Sequence, residues 1–460
     1  VRPDADAASL SSAVADGVGG YGSLSHRWCH RPDFDHGCAD RSDSNRPDWQ
    51  AIRSLLATRD SGLMMMAGQV PEALPVAAWP VEAVVVPLAR PLARTLLGMG
   101  VETKSGIALG RGATITLWPT LGDLADPDTR VAFEQAVEAL FADPTTRPDG
   151  VVVDAHPDMV STLVGRRLAA LHDLPVLVVP HHRAHAAAGM AEQGLTESLA
   201  LAFDGMGWGE DGRLWGAELL HLHPGGCERL GTFAPAPLPG ADAAVREPLR
   251  QLVGRLVGAG VELTPAWQAR HGLDATTAAV WVRQCRQGIN APLSHAAGRL
   301  FDAFAAWLGV APACITHEGE PAIRLEAVAR LCTDPALAPT LPFTRRENGR
   351  MLVIDWGETF RLPQPFAVAE AVKAAWAWAF HRAVADAILA LVDHGVRLTG
   401  LRDVVSSGGV FMNRLLRELL WPPLQQRGVV PWLPRRVPVG DGGIALGQVY
   451  AATGMGVGAF

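Results

Sequence analysis

The amino-acid sequence predicts an α/β protein of two similar lobes around a cleft. Three observations predict it. Apolar runs of strand length alternate with helical stretches from about Leu92 onward, which implies sheets with parallel members. The alternation falls into two sets, 92–195 and 199–460. The chain is 48% hydrophobic and only 19% charged, and Ala, Gly, Leu and Val dominate it, as they do where small residues pack helices onto sheets. A chain of 460 residues holds two to three domains or one large two-lobed one. No internal repeat is visible by identity.

Residues 1–60 stand apart. They are rich in Asp, Arg, Ser, His and Pro. His26, Cys29, His30, His36 and Cys38 sit close together, and a zinc knuckle is one reading. Their spacing fits no tetrahedral framework, which favours the other reading, a loop-rich or partly disordered extension. Segment 49–58 reads as one short helix, and 71–91, rich in Pro and Val, as a linker. The expected division is an extension over 1–90, a first lobe over 91–198 and a second lobe over 199–460. Residues 1–20 show no basic segment leading into an apolar one, so no secretory signal is read there. No uncharged apolar run reaches the roughly 18 residues of a membrane helix. The six cysteines are scattered and form no CxxC pair, which suits a reducing compartment. The expectation is a cytoplasmic protein with no membrane partner. The net charge of −7 argues against nucleic acid as a partner.

In the first set, 103–109 and 113–118 read as short strands joined by a Gly turn. Segment 128–141 reads as a helix. Val151, Val152 and Val153 form a buried strand that ends in Asp154 and runs into Ala155-His156-Pro157-Asp158. Segment 161–172 is a helix and 174–179 the next strand. In the second set, 199–204 is a strand ending in the carboxylate of Asp204. Gly205, Gly207 and Gly209 make a tight turn, and 214–222 returns as the paired strand. Polar groups at strand ends are where α/β proteins place sites, and backbone N–H groups of a Gly-rich turn can approach phosphate. Residues 223–300 read as mostly helical. Further helices open at 298–302 and 318–322, and 368–394 is a long helical stretch. Segment 404–413 is a strand, a Gly408-Gly409 turn and a helix start. Its free amides suit a nucleotide phosphate; a turn that serves close packing alone is the equal alternative. Asp441, with Gly442 and Gly443, stands before the last helix.

His181 and His185 lie four apart, where strand 174–179 runs into a small-residue helix over 184–191. On a helix, such residues share a face, with Cβ atoms about 5–6 Å apart. Two neutral imidazoles there make half a site for a divalent transition metal. A satisfied histidine at a helix N-terminus with a chance neighbour is the other reading, and the carboxylates elsewhere favour the metal.

Taken in order, the motifs resemble the C-terminal, Kae/TsaD-like domain of the HypF family, the carbamoyltransferases of [NiFe]-hydrogenase maturation. His181-His182-Arg183-Ala184-His185 resembles that family's HHHAH. Phe203-Asp204-Gly205-Met206-Gly207-Trp208-Gly209 resembles FDGTGYG, Arg246-Glu247-Pro248 resembles REP, and 298–303 resembles GRLFDA. Glu318-Gly319 resembles the start of EGQAA, 407–413 resembles SGGVFQN, and Asp441-Gly442-Gly443 resembles DGG. Earlier, 154–158 is similar to DLHPDY and Gly122-Asp123-Leu124 to GDL. These motifs cover about residues 92–455.

The resemblance implies a two-lobed actin- and sugar-kinase-like (ASKHA) α/β fold with a nucleotide and a metal in its cleft. It implies His181, His185 and Asp441 as metal ligands, with Asp204 beside them as ligand and catalytic group. Nitrogen and oxygen donors admit iron, zinc or manganese, with iron or zinc favoured and magnesium allowed. His182, between the ligands, faces the substrate or packs. Lys104, in a segment resembling ELKNT, neutralises phosphate or carbamoyl oxygens, or is a solvated surface lysine. Gly205, Gly207, Ser407, Gly408, Gly409 and Asn413 lie against the nucleotide, with Asp302 and Glu318 near its ribose or base. The implied reaction takes carbamoyl phosphate and ATP through carbamoyl adenylate and passes the carbamoyl group to the C-terminal cysteine thiol of a HypE-type partner. The family's acylphosphatase-like, CxxC zinc-finger and YrdC-like domains are not recognisable in this sequence, and 64–75 is similar only to the tail of the last. The carbamoyl-transfer half is therefore expected, supplied with ATP or with ready-made carbamoyl adenylate. Arg183 replaces the middle His of HHHAH, a position between the ligands. The alternatives are a small-molecule O-carbamoyltransferase and a non-catalytic paralogue that binds nucleotide.

Overall fold

The computed structural model describes residues 83–365 and 368–454. The readings of the histidine–cysteine cluster, of helix 49–58 and of 64–75 fall outside the described residues.

Two sheets form the frame. The first contains β1 (Val84–Pro87), β2 (Leu96–Gly98), β3 (Ala108–Arg111), β4 (Thr114–Leu117), β5 (Gly150–Asp154) and β6 (Val176–Val179), in the order β1-β4-β3-β2-β5-β6. The second is built on β7 (Ser198–Trp208), β8 (Leu214–His223) and β9 (Gly226–Phe233). The short β10 (Ala236–Pro237) and β11 (Leu293–Ser294) attach beside β8. β12 (Thr344–Asn348), β13 (Met351–Asp355), β14 (Asp403–Ser407) and β15 (Val430–Trp432) complete the order β12-β13-β9-β8-β7-β14-β15.

Both sheets share one plan. In the first, β4-β3-β2 are antiparallel and β2-β5-β6 are parallel. In the second, β9-β8-β7 are antiparallel and β7-β14-β15 are parallel. Parallel strands require helical crossovers, and these strands are covered by them. In the first lobe α1 (Pro127–Ala142) leads into β5, α2 (Val160–Leu171) into β6, and α3 (His181–Gln193) follows β6. Asp126 starts α1 by accepting a bond from the Thr129 N–H, with Pro127 in the first turn, the usual chemistry of a helix start.

The second lobe carries an insertion of short helices: α4 (Asp242–Arg246), α5 (Pro248–Gly258), α6 (Pro265–Arg270), α7 (Ala275–Gln287), α8 (Ala297–Trp307), α9 (Glu320–Ala329) and α10 (Gly357–Arg361). Then α11 (Glu370–Thr399) leads into β14, α12 (Arg414–Gln426) joins β14 to β15, and α13 (Ile444–Ala452) ends the described chain. α11 is long and apolar enough to cross a membrane by length and composition, but 67% of its most apolar window is buried inside the protein. It packs on α9 and α12, and α8 meets it through Phe304, which stacks on Phe380 with ring centroids 4.1 Å apart.

α3 and α13 lie between the sheets and exchange sides. α3 packs on β7, β8 and β14 of the second sheet, α13 packs on β2 to β6 of the first, and the two helices cross each other. Glycines permit the crossing. A Cβ on Gly447 would stand 1.9 Å from the Ala184 carbonyl oxygen, and one on Gly98 would stand 2.3 Å from that of Ala445. Helix N-termini from both lobes thus meet at one place.

Four local expectations are corrected. Residues 103–107 form a loop, and strand begins only at Ala108. Part of the expected linker 71–91 is β1, an edge strand paired with β4, where Pro87 ends the ladder without interrupting it. Residues 223–300 include β9, β10 and β11 as well as helices. Gly205 and Gly207 lie inside β7, not in its turn; the strand's register with β8 shifts between Phe203 and Gly207, so the glycines mark an irregularity within the strand.

Candidate metal centre

His181 is the first residue of α3 and His185 lies one turn on. Asp204 sits at the start of the irregular stretch of β7, and Asp441 opens the 3-10 turn Asp441–Gly443 before α13. The fold brings these four together. His181 Nε2 lies 3.6 Å from Asp204 Oδ2 and 4.0 Å from Asp441 Oδ1. His185 Nε2 lies 3.7 Å and 3.4 Å from the same two oxygens. One donor atom from each residue falls within 4.8 Å of all the others. Both Nε2 atoms are buried and have no hydrogen-bond partner. Two buried nitrogen lone pairs facing two carboxylate oxygens fit a divalent cation.

The electrostatics agree. Burial lowers the affinity of His181 for a proton, but the hydrogen-bonded carboxylate of Asp154 and the neighbouring carboxylates of Asp204 and Asp441 outweigh that and hold its pKa well above the usual imidazole value. His185 is raised in the same way, with burial outweighed by Asp204 and Asp441. Burial pushes the Asp204 carboxyl upward, yet the two histidines hold it well below its usual range, and Asp441 is also lowered. The cluster therefore draws positive charge to the two Nε2 positions, where protons and a cation compete for the same lone pairs.

The backbone around the cluster is shaped by contact. A Cβ on Gly207 would stand 2.4 Å from His181 Cδ2 and 2.6 Å from His182 Cε1. Its bareness thus makes room for the histidine rings. Gly408 has φ of +95°, and a Cβ there would stand 2.2 Å from the Phe203 carbonyl oxygen. The Gly409 N–H donates to Asp204 Oδ1 at 2.9 Å, so this amide holds a carboxylate of the cluster. Ser407, at the end of β14, is buried with its hydroxyl unpartnered.

The remaining expected residues are placed more widely. His182 is buried against Trp215, and neither ring nitrogen has a partner; burial, reinforced by His181 and His185, depresses its pKa well below the usual value. Lys104 and Glu318 pair with each other at 2.8 Å, both about half exposed. Lys104 stands on the first-lobe loop after β2 and Glu318 on the second-lobe loop before α9, so the pair bridges the cleft. Glu318 Oε1 lies 4.0 Å from where a Gly205 Cβ would be, which puts this bridge beside Asp204. Asp302 is buried with Arg299 at 2.8 Å and Gln251 at 3.2 Å, and burial raises its pKa despite them. Asn413 is engaged locally: Oδ1 accepts from the Leu416 N–H to cap α12, and Nδ2 meets His381 at 2.9 Å.

Two residues given no role from the sequence touch the cluster. Asp154 Oδ2 lies 3.1 Å from His181 Nδ1, and the Thr103 hydroxyl donates to Asp441 Oδ2 at 3.1 Å. The signal for Asp154 was available: a carboxylate ending the buried strand next to the one that delivers His181.

The family model described as "Carbamoyltransferase, Kae1-like Domain, second subdomain" matches residues 200–448, and that of the "HypF Kae1-like domain" matches 91–192. Carbamoyltransferase HypF2 of Cupriavidus necator is 37% identical over 390 residues, covering 80% of this chain and 48% of that protein. A carbamoyltransferase HypF homolog of the same organism is 38% identical over 370 residues, covering 78% of this chain and 91% of that protein. The chain thus spans about half the length of the first relative and nearly all of the second. Among solved structures, full-length HypF in its phosphate- and nucleotide-bound form superposes with a TM-score of 0.71 at 27% identity, over 81% of this chain and 57% of that one. HypF of T. kodakarensis gives a TM-score of 0.69 at 26% identity, over 81% and 49%. The architecture is the expected two-lobed actin- and sugar-kinase-like α/β fold. The chain belongs to the HypF carbamoyltransferase family and corresponds to its Kae1-like domain.

Proposed function

We propose that this chain transfers a carbamoyl group, derived from carbamoyl phosphate and ATP by way of carbamoyl adenylate, to the C-terminal cysteine thiol of a HypE-type maturation protein. The observation that carries the reading is the convergence of His181, His185, Asp204 and Asp441 on one point with both Nε2 atoms buried and unpartnered, in a chain of this family. Those four residues would hold a divalent metal, iron or zinc by donor type. Bound there, such an ion supplies Lewis-acid charge over the oxygens of a leaving phosphate.

The chain's own residues account for the rest. The acceptor thiolate attacks the carbamoyl carbon, the bond from that carbon to the adenylate oxygen breaks, and AMP leaves with the electron pair. No side-chain nucleophile is needed, since the acceptor brings its own sulfur. Lys104 stands close enough to Asp204 and Asp441 to feel both carboxylates. On leaving Glu318 it has an ammonium to offer a phosphate oxygen. In this reading Glu318 and the Gly408-Gly409 turn, both beside Asp204, face the nucleotide, and His182 packs against the rings of His181 and His185. A full-length HypF has been solved in a phosphate- and nucleotide-bound form, which supports nucleotide binding by this chain.

The test is the intact mass of a HypE-type protein after incubation with the chain, carbamoyl phosphate and ATP, and again with preformed carbamoyl adenylate. A carbamoyl adduct in both mixtures means that the chain adenylates and transfers. An adduct with the adenylate alone means transfer only. No adduct in either case defeats this reading and leaves a small-molecule acceptor or a nucleotide-binding paralogue.

A further inference from the structure

We propose that Asp154 and Thr103 are positioning residues of the metal centre, each occupying one atom of a ligand so that the ligand's other atom faces the common point. The inference rests on the metal reading above and deepens it. Each of three ligands has two atoms able to bind. His181 offers Nδ1 and Nε2, and Asp204 and Asp441 each offer two oxygens. In every case one atom is engaged outside the cluster and the other faces in. His181 Nδ1 meets Asp154 Oδ2 at 3.1 Å. Asp204 Oδ1 accepts from the Gly409 N–H at 2.9 Å. Asp441 Oδ2 accepts from the Thr103 hydroxyl at 3.1 Å. The inward atoms are His181 Nε2, Asp204 Oδ2 and Asp441 Oδ1, the same atoms that lie near one another.

Asp154 is built for this task. It is 0% exposed, at the end of the fully buried β5. Its other oxygen accepts from the His156 N–H at 2.9 Å, which fixes the carboxylate plane. A buried carboxylate beside Nδ1 requires Nδ1 to donate, and that leaves the Nε2 lone pair for a cation. Thr103 reaches Asp441 from the first-lobe loop after β2, so it joins the two lobes at the ligand itself. His156 adds a second joint, its ring edge-on to Trp208 of β7 with centroids 5.3 Å apart. The motif Asp154-Ala155-His156-Pro157-Asp158 thereby acquires a role: it carries the orienting carboxylate and seats it against the second lobe.

The experiment measures zinc(II) affinity of the purified chain by competition with a chromophoric chelator, for the unmodified protein and for Asp154→Asn, Asp154→Ala, Thr103→Val and Thr103→Ser, with His185→Ala as reference. Groups that orient ligands through hydrogen bonds change metal affinity by roughly 10–100-fold. Asp154→Ala is expected to weaken zinc binding by that amount. Asp154→Asn, which keeps an acceptor and loses the charge, is expected to fall between it and the unmodified chain. Thr103→Val is expected to cost on the order of tenfold or less, with Thr103→Ser restoring the affinity. A readout free of metal and of activity accompanies these: in the stripped, histidine-labelled chain, the Nδ1 proton of His181 is expected as a downfield, slowly exchanging NMR signal that persists on zinc loading and is lost in Asp154→Ala. Folded variants of Asp154 and Thr103 that bind zinc as tightly as the unmodified chain overturn the positioning role alone. An unmodified chain that binds no more tightly than His185→Ala overturns the metal reading and this one with it.

Discussion

β5 in the first lobe and β14 in the second hold the same place in their sheets, each parallel to the inner strand of an antiparallel meander. They end differently. β5 ends in Asp154, whose carboxylate faces His181. β14 ends in Ser407 and passes into Gly408 and Gly409, whose backbone N–H faces Asp204. The helices that follow the last strands are equivalent too: α3 starts with a histidine ligand, and α13 follows directly on the turn opened by the carboxylate ligand Asp441. One scaffold used twice thus presents two helix N-termini to one point. The first lobe furnishes imidazoles and an acidic orienting group, the second furnishes carboxylates and a backbone donor. Donors of opposite preference are thereby matched across the cleft rather than within either lobe.

The largest expected effect contrasts the two cores. The second lobe's core is aromatic around α8 and α11, with Phe304 stacked on Phe380. In the first lobe Phe133 of α1 is as fully buried among mainly aliphatic neighbours. Phe304→Ala and Phe133→Ala should each cost about 3–5 kcal/mol, with Phe304→Ala worse by about 0.5–1.5 kcal/mol for the lost stacking. Urea unfolding midpoints at constant slope measure both. Equal losses would show that stacking adds nothing to the second lobe.

The helix crossing comes next. Gly447→Val forces a side chain against the Ala184 carbonyl, 1.9 Å from the first added carbon. It should cost about 1–3 kcal/mol or more and weaken zinc binding with it, because ligands lie at the start of α3 and in the turn just before α13. Gly258→Ala, where an added carbon meets nothing within 4 Å, should leave the unfolding midpoint unchanged or raise it. A Gly447→Val protein with unaltered stability would mean that the lobes tolerate separation at this crossing.

A pH series sharpens the match of donors. The raised pKa values of His181 and His185 make their charged forms stabilising in the metal-free chain. That stabilisation is fully present below the unfolded imidazole value of 6.5 and is lost as pH climbs through the raised folded values. Cation binding needs the same lone pairs unprotonated, so its contribution grows across that interval. The difference in melting temperature between zinc-loaded and chelator-stripped protein should therefore widen from about pH 6 to about pH 8, and should be flat with pH in His185→Ala. A constant difference in the unmodified chain would contradict the shared lone pairs.

The smallest effect is at the mouth. The Lys104–Glu318 bridge is half exposed, so Glu318→Gln should change stability by less than about 1 kcal/mol, and less still in high salt. Its use is diagnostic for binding: freeing Lys104 should tighten binding of inorganic pyrophosphate by a few-fold at most. Weaker pyrophosphate binding would give Glu318 a direct part in holding phosphate.

Much of this was legible in the sequence. Val151, Val152 and Val153 announced a buried parallel strand, and His181, His185, Asp204 and Asp441 are brought to one place as their motifs implied. The repeat was legible as two similar sets of elements but not by identity, because buried strands need only apolar residues, and β5 and β14 share a place without sharing identities. Nor was the position of Gly205 and Gly207 within β7. A glycine cluster marks a turn and a strand irregularity alike, and the choice depended on the histidine rings that pack there from a distant helix. Asn413 is divided: its cap on the Leu416 N–H is local chemistry, whereas His381 is a partner that only the fold brings near.

The most direct test takes one ligand from each lobe. Metal content and zinc affinity should be measured for the unmodified chain, His185→Ala and Asp441→Asn under one set of conditions. The expected result is one tightly held ion per unmodified chain, and loss of tight binding in both variants alike. Tight binding retained in either variant would contradict a centre shared between the two lobes.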